Sequence, residues 1–237
     1  MSVSVLKYKV RGKVVNIDPL SIGSGKSAIG AIDNPIVRLN NVPYIPGSSL
    51  KGVLRAEAER YAKIMGYDVC NVFSNEELER KKNKKEACDV CKVFGGPTIV
   101  SAIIVHNLYG KNAVTEIRTS VSISRITGAQ SPGRLFDVEF VVPGSEFVSS
   151  DGSVVFEVDG RRINLNNKNR HVEILLYVFS RLVNGEIRVG GRKSIGMGRI
   201  KLIIDKIEQV TLEDGVLKSE DITQLVNKLL SSVLDRV

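Results

Sequence analysis

Hydrophobic and polar positions alternate along the first stretch of the chain, where Val5, Tyr8, Val10, Val14 and Ile17 fall among Lys7, Lys9, Arg11 and Lys13. That period of two predicts one long β-strand over residues 3–17, bulged near Gly12. The pattern then changes. Leu50, Leu54, Ala58, Tyr61 and Ile64 recur at helical spacing, predicting a helix over about 49–65. Ile45-Pro46-Gly47 breaks the chain ahead of it, and Ser48 or Ser49 is a suitable N-cap. Residues 98–106 read as a strand buried on both faces, and residues 135–142 alternate again. A weak hairpin over 147–165 is expected to pivot on Asp159-Gly160. Val172, Leu175, Leu176, Phe179, Leu182 and Val183 mark a second helix, ended by Asn184-Gly185, and residues 200–210 a last core strand.

Reduced to core elements the order is strand, helix, strand, strand, helix, strand. That is the α+β, ferredoxin-like β-α-β-β-α-β arrangement shared by RNA-recognition modules. It predicts a single domain over residues 1–237. Three stretches interrupt or extend it: a cysteine-containing insertion over 67–97, a basic, β-branched excursion over 111–134 and an amphipathic C-terminal helix over 219–237.

Charge narrows the partner. The 34 Lys and Arg residues outnumber 26 Asp and Glu, giving a formal charge of +8 and a pI near 9.4. A polyanion is the favoured ligand. With no Trp and 5% aromatics, nucleic acid would be held by backbone groups, cations and small wedges more than by stacked aromatic platforms. No apolar run reaches membrane length and the N-terminus lacks a signal-peptide core, so a cytoplasmic protein with no membrane partner is expected.

Several short stretches carry candidate chemistry. Within Gly30–Gly52, Asp33 is a lone acid on a polar loop, and Ser48, Ser49, Lys51 and Arg55 surround a helix start. Free N–H groups and two cations make a phosphate seat; an ordinary loop-to-helix junction is the competing reading. The string Gly23-Ser24-Gly25-Lys26-Ser27 looks like the end of a P-loop, but that motif needs glycine where Leu20 stands, so no nucleotide cofactor is expected. Lys26 stays a candidate backbone contact. A second glycine loop, 190–199, offers Gly191, Arg192, Lys193 and Arg199 to phosphates; a tight β-connection accounts equally for its glycines. Cys88-x-x-Cys91 has zinc-ligand spacing, with Cys70 as third ligand and His106 as the better fourth candidate. A structural zinc and reduced, buried thiols both remain open.

Five strings together carry a resemblance: Gly30-Ala31-Ile32-Asp33-Asn34-Pro35, Ile45-Pro46-Gly47-Ser48-Ser49-Leu50-Lys51-Gly52, the CxxCxxFG run at 88–95, Arg125-Ile126-Thr127, and Gly190-Gly191-Arg192-Lys193-Ser194-Ile195-Gly196-Met197-Gly198. With these the chain resembles the RAMP-superfamily backbone subunits of type III CRISPR effector complexes, most of all the Csm-type kind that slices target RNA. The resemblance implies copies stacked head to tail along a guide CRISPR RNA, with other type III effector subunits as further partners. It implies a hairpin thumb near 115–134 that displaces a base of the guide–target duplex, so that Arg118 and Arg125 face RNA. It assigns target cleavage at regular intervals to Asp33, aided by a divalent ion, Mg or Mn. Ser21 aligns where many relatives carry a histidine; its hydroxyl can bind RNA but supplies no cation. The alternative within the resemblance is a non-catalytic RNA-binding scaffold. A stand-alone processing endonuclease fits less well, because such enzymes lean on a His or Tyr/Lys base and this chain holds two histidines.

Overall fold

The alternating N-terminal pattern forms strand β1 (Ser4–Asn16), the axis of a ten-stranded antiparallel sheet. The computed structural model describes residues 4–25, 32–71, 74, 87–167 and 169–234. Along one side β1 pairs over its whole length with the last long strand, which runs from Arg199 to Glu213 and is β11 in chain order. Its other side is shared. Lys7 to Arg11 pair with β9 (Val154–Asp159), while Val14 and Val15 pair with β8 (Glu146–Val148). The register shifts between Arg11 and Gly12 on the β11 side, where the bulge was expected. A Cβ on Gly12 would stand 2.0 Å from the Ile203 carbonyl oxygen, so only glycine allows the strands to approach this closely.

Beyond β9 lies β4 (Ile103–Val105), and beyond β8 lie β5 (Leu108–Lys111), β3 (Val42–Ile45) and β2 (Arg38–Leu39). The far edge carries β10 (Ile187–Arg188) and β12 (Val216–Asp221), both on β11. A separate two-stranded ribbon, β6 (Thr115–Ile123) with β7 (Gln130–Val141), leaves the sheet.

Helix α1 (Gly47–Ile64) and helix α3 (Arg170–Val183) cover one face of the sheet, with short α2 (Asp89–Phe94) and C-terminal α4 (Thr223–Leu234) packed against them. Leu50, Leu54, Ala58 and Tyr61 are buried with Ile174, Leu175, Val178 and Leu182 against Tyr8, Val10, Val14, Phe156 and Leu202. The Tyr61 and Tyr177 rings stack at 3.9 Å between centroids. The opposite side of β1 carries ion pairs, Arg11 to Glu208 at 2.9 Å, Lys7 to Glu157 at 2.6 Å and Lys13 to Glu146. Alternation along β1 thus separates core from charge. Among the described residues no helix is long and apolar enough to cross a membrane.

Three expectations need correction. The stretch 147–165 is no hairpin: β8 and β9 each pair with β1, and Asp159-Gly160 ends β9. Gly160 serves a close approach there, since a Cβ would meet Val5 at 2.5 Å. Ser48 and Ser49 do not cap α1. Pro46 holds the N-cap position without a side-chain bond, and the Gly47 N–H donates to Asn107 Oδ1 at 2.8 Å. The stretch 98–106 is not a strand buried on both faces either, because β4 covers only Ile103–Val105 and both Val100 and Ile104 are exposed. Within the cysteine insertion, Cys88, Val90, Cys91, Val93 and Phe94 lie in the main core.

Candidate RNA interface and acid loop

The loop bearing Asp33 is docked on the root of the β6–β7 hairpin. Asn34 forms a parallel bridge to Val138; its N–H donates to the Asp137 carbonyl at 3.1 Å, and Glu139 N–H donates to the Asn34 carbonyl at 3.2 Å. Asp33 is exposed, and its Oδ2 accepts the Asp137 N–H at 2.8 Å. The carboxylate is therefore aimed by hairpin backbone, with its second oxygen outside that bond.

The second glycine loop arrives from the other end of the chain. Gly191 N–H donates to the Ser21 carbonyl and Gly198 N–H to the Pro19 carbonyl, each at 2.9 Å. Gly190 has φ +84°, and a Cβ there would strike the Ser21 oxygen at 2.3 Å. Arg192 also takes a left-handed φ of +56°, and its guanidinium lies 5.0 Å from the centroid of Phe136, one residue before Asp137. Ser21, Asp33, Asn34, Gly191 and Arg192 consequently line one cavity of about 480 Å³. Leu20, standing where a P-loop would need glycine, is a core residue bridged to Val141. Ser21 itself is buried, so it meets this cavity mainly as scaffold.

A second cavity, about 690 Å³, separates the start of α1 from the same glycine loop and is lined by Ser48, Ser49, Arg60, Arg188 and Lys193 among others. Exposed Ser48 and half-buried Ser49 sit in the first turn, where the helix dipole favours an anion. Lys51 is half-buried, and desolvation followed by repulsion from Arg55 draws its ammonium pKa down.

Two arginines expected at RNA have work inside the fold. Arg55 donates to Glu59 at 2.8 Å, to the Gly95 carbonyl at 2.7 Å and to Cys91 Sγ at 3.4 Å, tying α1 to α2. Arg199 grips Asp18 through both carboxylate oxygens at 2.9 and 3.0 Å, and Arg188 joins them at 2.9 Å. The Arg199 bonds hold the Asp18 carboxyl below the usual carboxylate range. Lys26 lies outside the described residues.

Arg118 and Arg125 are exposed on the hairpin, Arg118 opposite Val138 near its root and Arg125 in the tip turn. Ser124 Oγ accepts the Ile126 and Thr127 N–H groups at 3.3 Å, which orders the tip while Ile126 remains 96% exposed. The ribbon's second strand runs from Gln130 to Val141, so the strand expected over 135–142 is its root half.

The sulfurs of Cys70, Cys88 and Cys91 all lie within 4.8 Å of one another. The Cys70 N–H donates to Cys88 Sγ at 3.4 Å. Hydrogen bonding between Cys88 and Cys91 lowers the Cys88 pKa to about 5 and raises that of Cys91. His106 does not join them. Its N–H pairs with Val155 in the sheet and its ring meets Glu157 at 3.3 Å, because the end of β4 faces β9 and not α2. Among the described residues no fourth Cys, His, Asp or Glu completes the cluster.

A sheet with helices on one face, a protruding ribbon, and an acid loop and glycine loop meeting at its root is the setting in which the relatives become informative. The RAMP superfamily model matches residues 13–201, and the chain belongs to that superfamily. Within it, similar proteins from several organisms share the name CRISPR system Cms endoribonuclease Csm3. That of Enterococcus italicus is 27% identical over 223 residues, covering 86% of this chain and 93% of its own. That of Mycobacterium tuberculosis is 33% identical over 174 residues, 67% of each chain, and that of Methanothermobacter thermautotrophicus 27% identical over 244 residues, 87% of each.

Sequence reasoning missed the groups that build this site: Asp137 and its N–H, the Arg38–Glu139 pair, Phe136 beneath Arg192, and Asn107 on Gly47. The one available signal was an acid, Glu139, amid the apolar run Val138-Glu139-Phe140-Val141.

Proposed function

We propose that this chain is a Csm-type backbone subunit of a type III CRISPR ribonucleoprotein, binding guide RNA in multiple copies and cleaving complementary target RNA with Asp33. The observation that carries the reading is the Asp33 carboxylate, exposed and fixed by the Asp137 N–H at the root of a ribbon whose tip presents Ile126. The relatives named as endoribonucleases support it. The core supports a ferredoxin-like reading, since β11, β1, β9 and β4 lie side by side with α1 and α3 as the two crossings.

Cleavage follows from geometry. A ribbon inserted into a guide–target duplex splays a nucleotide, freeing its ribose 2′-OH to swing in line with the adjacent phosphate. Asp33, beside that nucleotide, accepts the 2′-OH proton as the oxygen attacks phosphorus; the P–O5′ bond breaks, leaving a 2′,3′-cyclic phosphate and a 5′-oxygen that takes its proton from water. Arg192 and the first turn of α1 neutralise the flanking backbone. A divalent ion would suit the hard oxygen of Asp33 and would stabilise charge on the phosphate; remaining ligands would come from RNA and water. At the thiols we propose a structural zinc. Three sulfurs within 4.8 Å fit three corners of a tetrahedron whose edges are about 3.8 Å for Zn–S bonds of about 2.3 Å.

The test is Asp33→Ala in a reconstituted complex with matched guide and target. Cleavage should cease while guide and target binding persist. Unchanged products at this subunit's positions would overturn the assignment and leave the scaffold role.

A further inference from the structure

Glu139 is an acid in an apolar strand, its side chain only 6% exposed. Its carboxylate is held mainly by residues of one short segment, with the Thr115 hydroxyl beside it. Oε2 accepts the Ile36 N–H at 3.0 Å and Arg38 Nη1 at 2.8 Å, while Oε1 accepts Arg38 Nη2 at 2.5 Å. The same Nη2 donates to Thr115 Oγ1 at 3.2 Å, so Arg38 touches both strands of the ribbon. Two residues back along β7, Asp137 holds Asp33 and Asn34 through its backbone. The segment 33–38 is thus pinned at one end by Asp137 and at the other by Glu139.

Such a pair is an expensive way to fill space. Taking the Glu139 carboxylate out of water beside a partly exposed Arg38 is costly, and apolar side chains of similar volume often stabilise a fold as well or better. What the fork-to-fork bond adds is direction, because two parallel N–H···O contacts fix both distance and angle. We infer that Arg38 and Glu139 form the positioning pair of the cleavage site, locking the Asp33 loop to the ribbon root. This rests on the reading of Asp33 as the cleaving acid. The ribbon decides which nucleotide is displaced, and the pair keeps the acid at a constant offset from that displacement. Neither residue touches the reacting atoms.

The experiment uses the reconstituted complex with end-labelled target RNA, comparing wild type, Asp33→Ala, Glu139→Ala, Glu139→Gln and Arg38→Ala. Glu139→Ala and Arg38→Ala should slow single-turnover cleavage at saturating target by about ten- to a hundred-fold, the loss expected for a misplacement near 1 Å. Target affinity should change by less than about two-fold, roughly a third of a tenfold step on the logarithmic scale. Product bands should spread to neighbouring phosphates. Glu139→Gln keeps one oxygen for the Ile36 N–H and Arg38 Nη1 but turns an NH₂ donor toward Arg38 Nη2, so it should recover part of the rate and fall between wild type and Glu139→Ala. Wild-type rate with a single sharp product in Glu139→Ala and Arg38→Ala would overturn the inference. So would a fall in assembly or target affinity matching the fall in rate across all three variants, which would make the pair a folding element only. Should Asp33→Ala still cleave, the functional reading fails first and the positioning role falls with it; cleavage lost in Asp33→Ala but untouched in the other variants rejects the positioning role alone.

Discussion

The two glycines that frame the first turns of α1, Gly47 and Gly52, should respond to alanine with opposite signs. A Cβ on Gly47 would stand 2.3 Å from the Val105 carbonyl oxygen and 3.1 Å from the His106 carbonyl carbon. Since real Cβ contacts stay above 3.0 Å, the helix start must retreat from β4 by about 0.7 Å (3.0 − 2.3). Overpacking of this kind costs about 1–3 kcal/mol. The retreat also stretches the 2.8 Å bond from Gly47 N–H to Asn107 Oδ1, worth about 1 kcal/mol. The backbone entropy recovered by losing a glycine offsets up to about 1 kcal/mol. Gly47→Ala should therefore destabilise the chain by about 2 kcal/mol, roughly a thirty-fold fall in the folded-to-unfolded ratio. Gly52 sits in the same helix with nothing within 4 Å of its Cβ position. Gly52→Ala should stabilise by about 0.5–1 kcal/mol through helix propensity alone. Urea unfolding of the isolated chain, followed by far-ultraviolet circular dichroism, reads both as shifts of midpoint at constant slope. If Gly47→Ala matched Gly52→Ala in stability, the close approach to β4 would not be what this position requires.

Acid stability offers another check. Asp151 is drawn down from 3.8 to about 2, first by the Ser149 hydroxyl and then by the Ser153 and Val154 N–H groups. Its contribution is full above the unfolded pKa and disappears as pH falls through the folded one. The stability gap between wild type and Asp151→Asn should be constant above pH 5 and close toward pH 2, measured by urea midpoints; a gap that widened on acidification would refute the assignment. For the thiol cluster, elemental analysis should find one zinc per chain, and chelator should lower Tm. Cys88→Ser should remove both the metal and the chelator effect, whereas metal-free protein with chelator-insensitive melting would reject the site.

Elements with strong local periodicity were legible. The bulged β1 and both core helices follow from spacing, because each buries a continuous face whose pattern is written in consecutive residues; the ribbon, whose first strand is mostly exposed, was expected only through the family resemblance. Pairings between distant segments were not. Nothing local says that residues 154–159 lie between β1 and β4, so a turn-like Asp159-Gly160 passed for a hairpin. Asp214-Gly215 between β11 and β12 carried the stronger hairpin signal and went unread. At the site, Asp33 and Arg192 were identified through their loops, but what aims them is long-range: Asp137 lies 104 residues from Asp33. His106 shows the same limit from the other side. Its place at a strand end was right, yet the face it presents depends on β9, which sequence spacing does not encode.

Strand β1 is made long before β11, which begins at residue 199, and one whole side of it waits for that strand. The Pro19–Ser21 segment likewise waits for Gly191 and Gly198, and Asp18 for Arg188 and Arg199. During synthesis the cavity lined by Asp33 and Arg192 therefore cannot exist until the chain through β11 has left the ribosome. A truncated or stalled nascent chain carries Asp33 but no glycine loop opposite it. The cavity and the sheet are completed by the same late residues, so an unfinished chain holds neither.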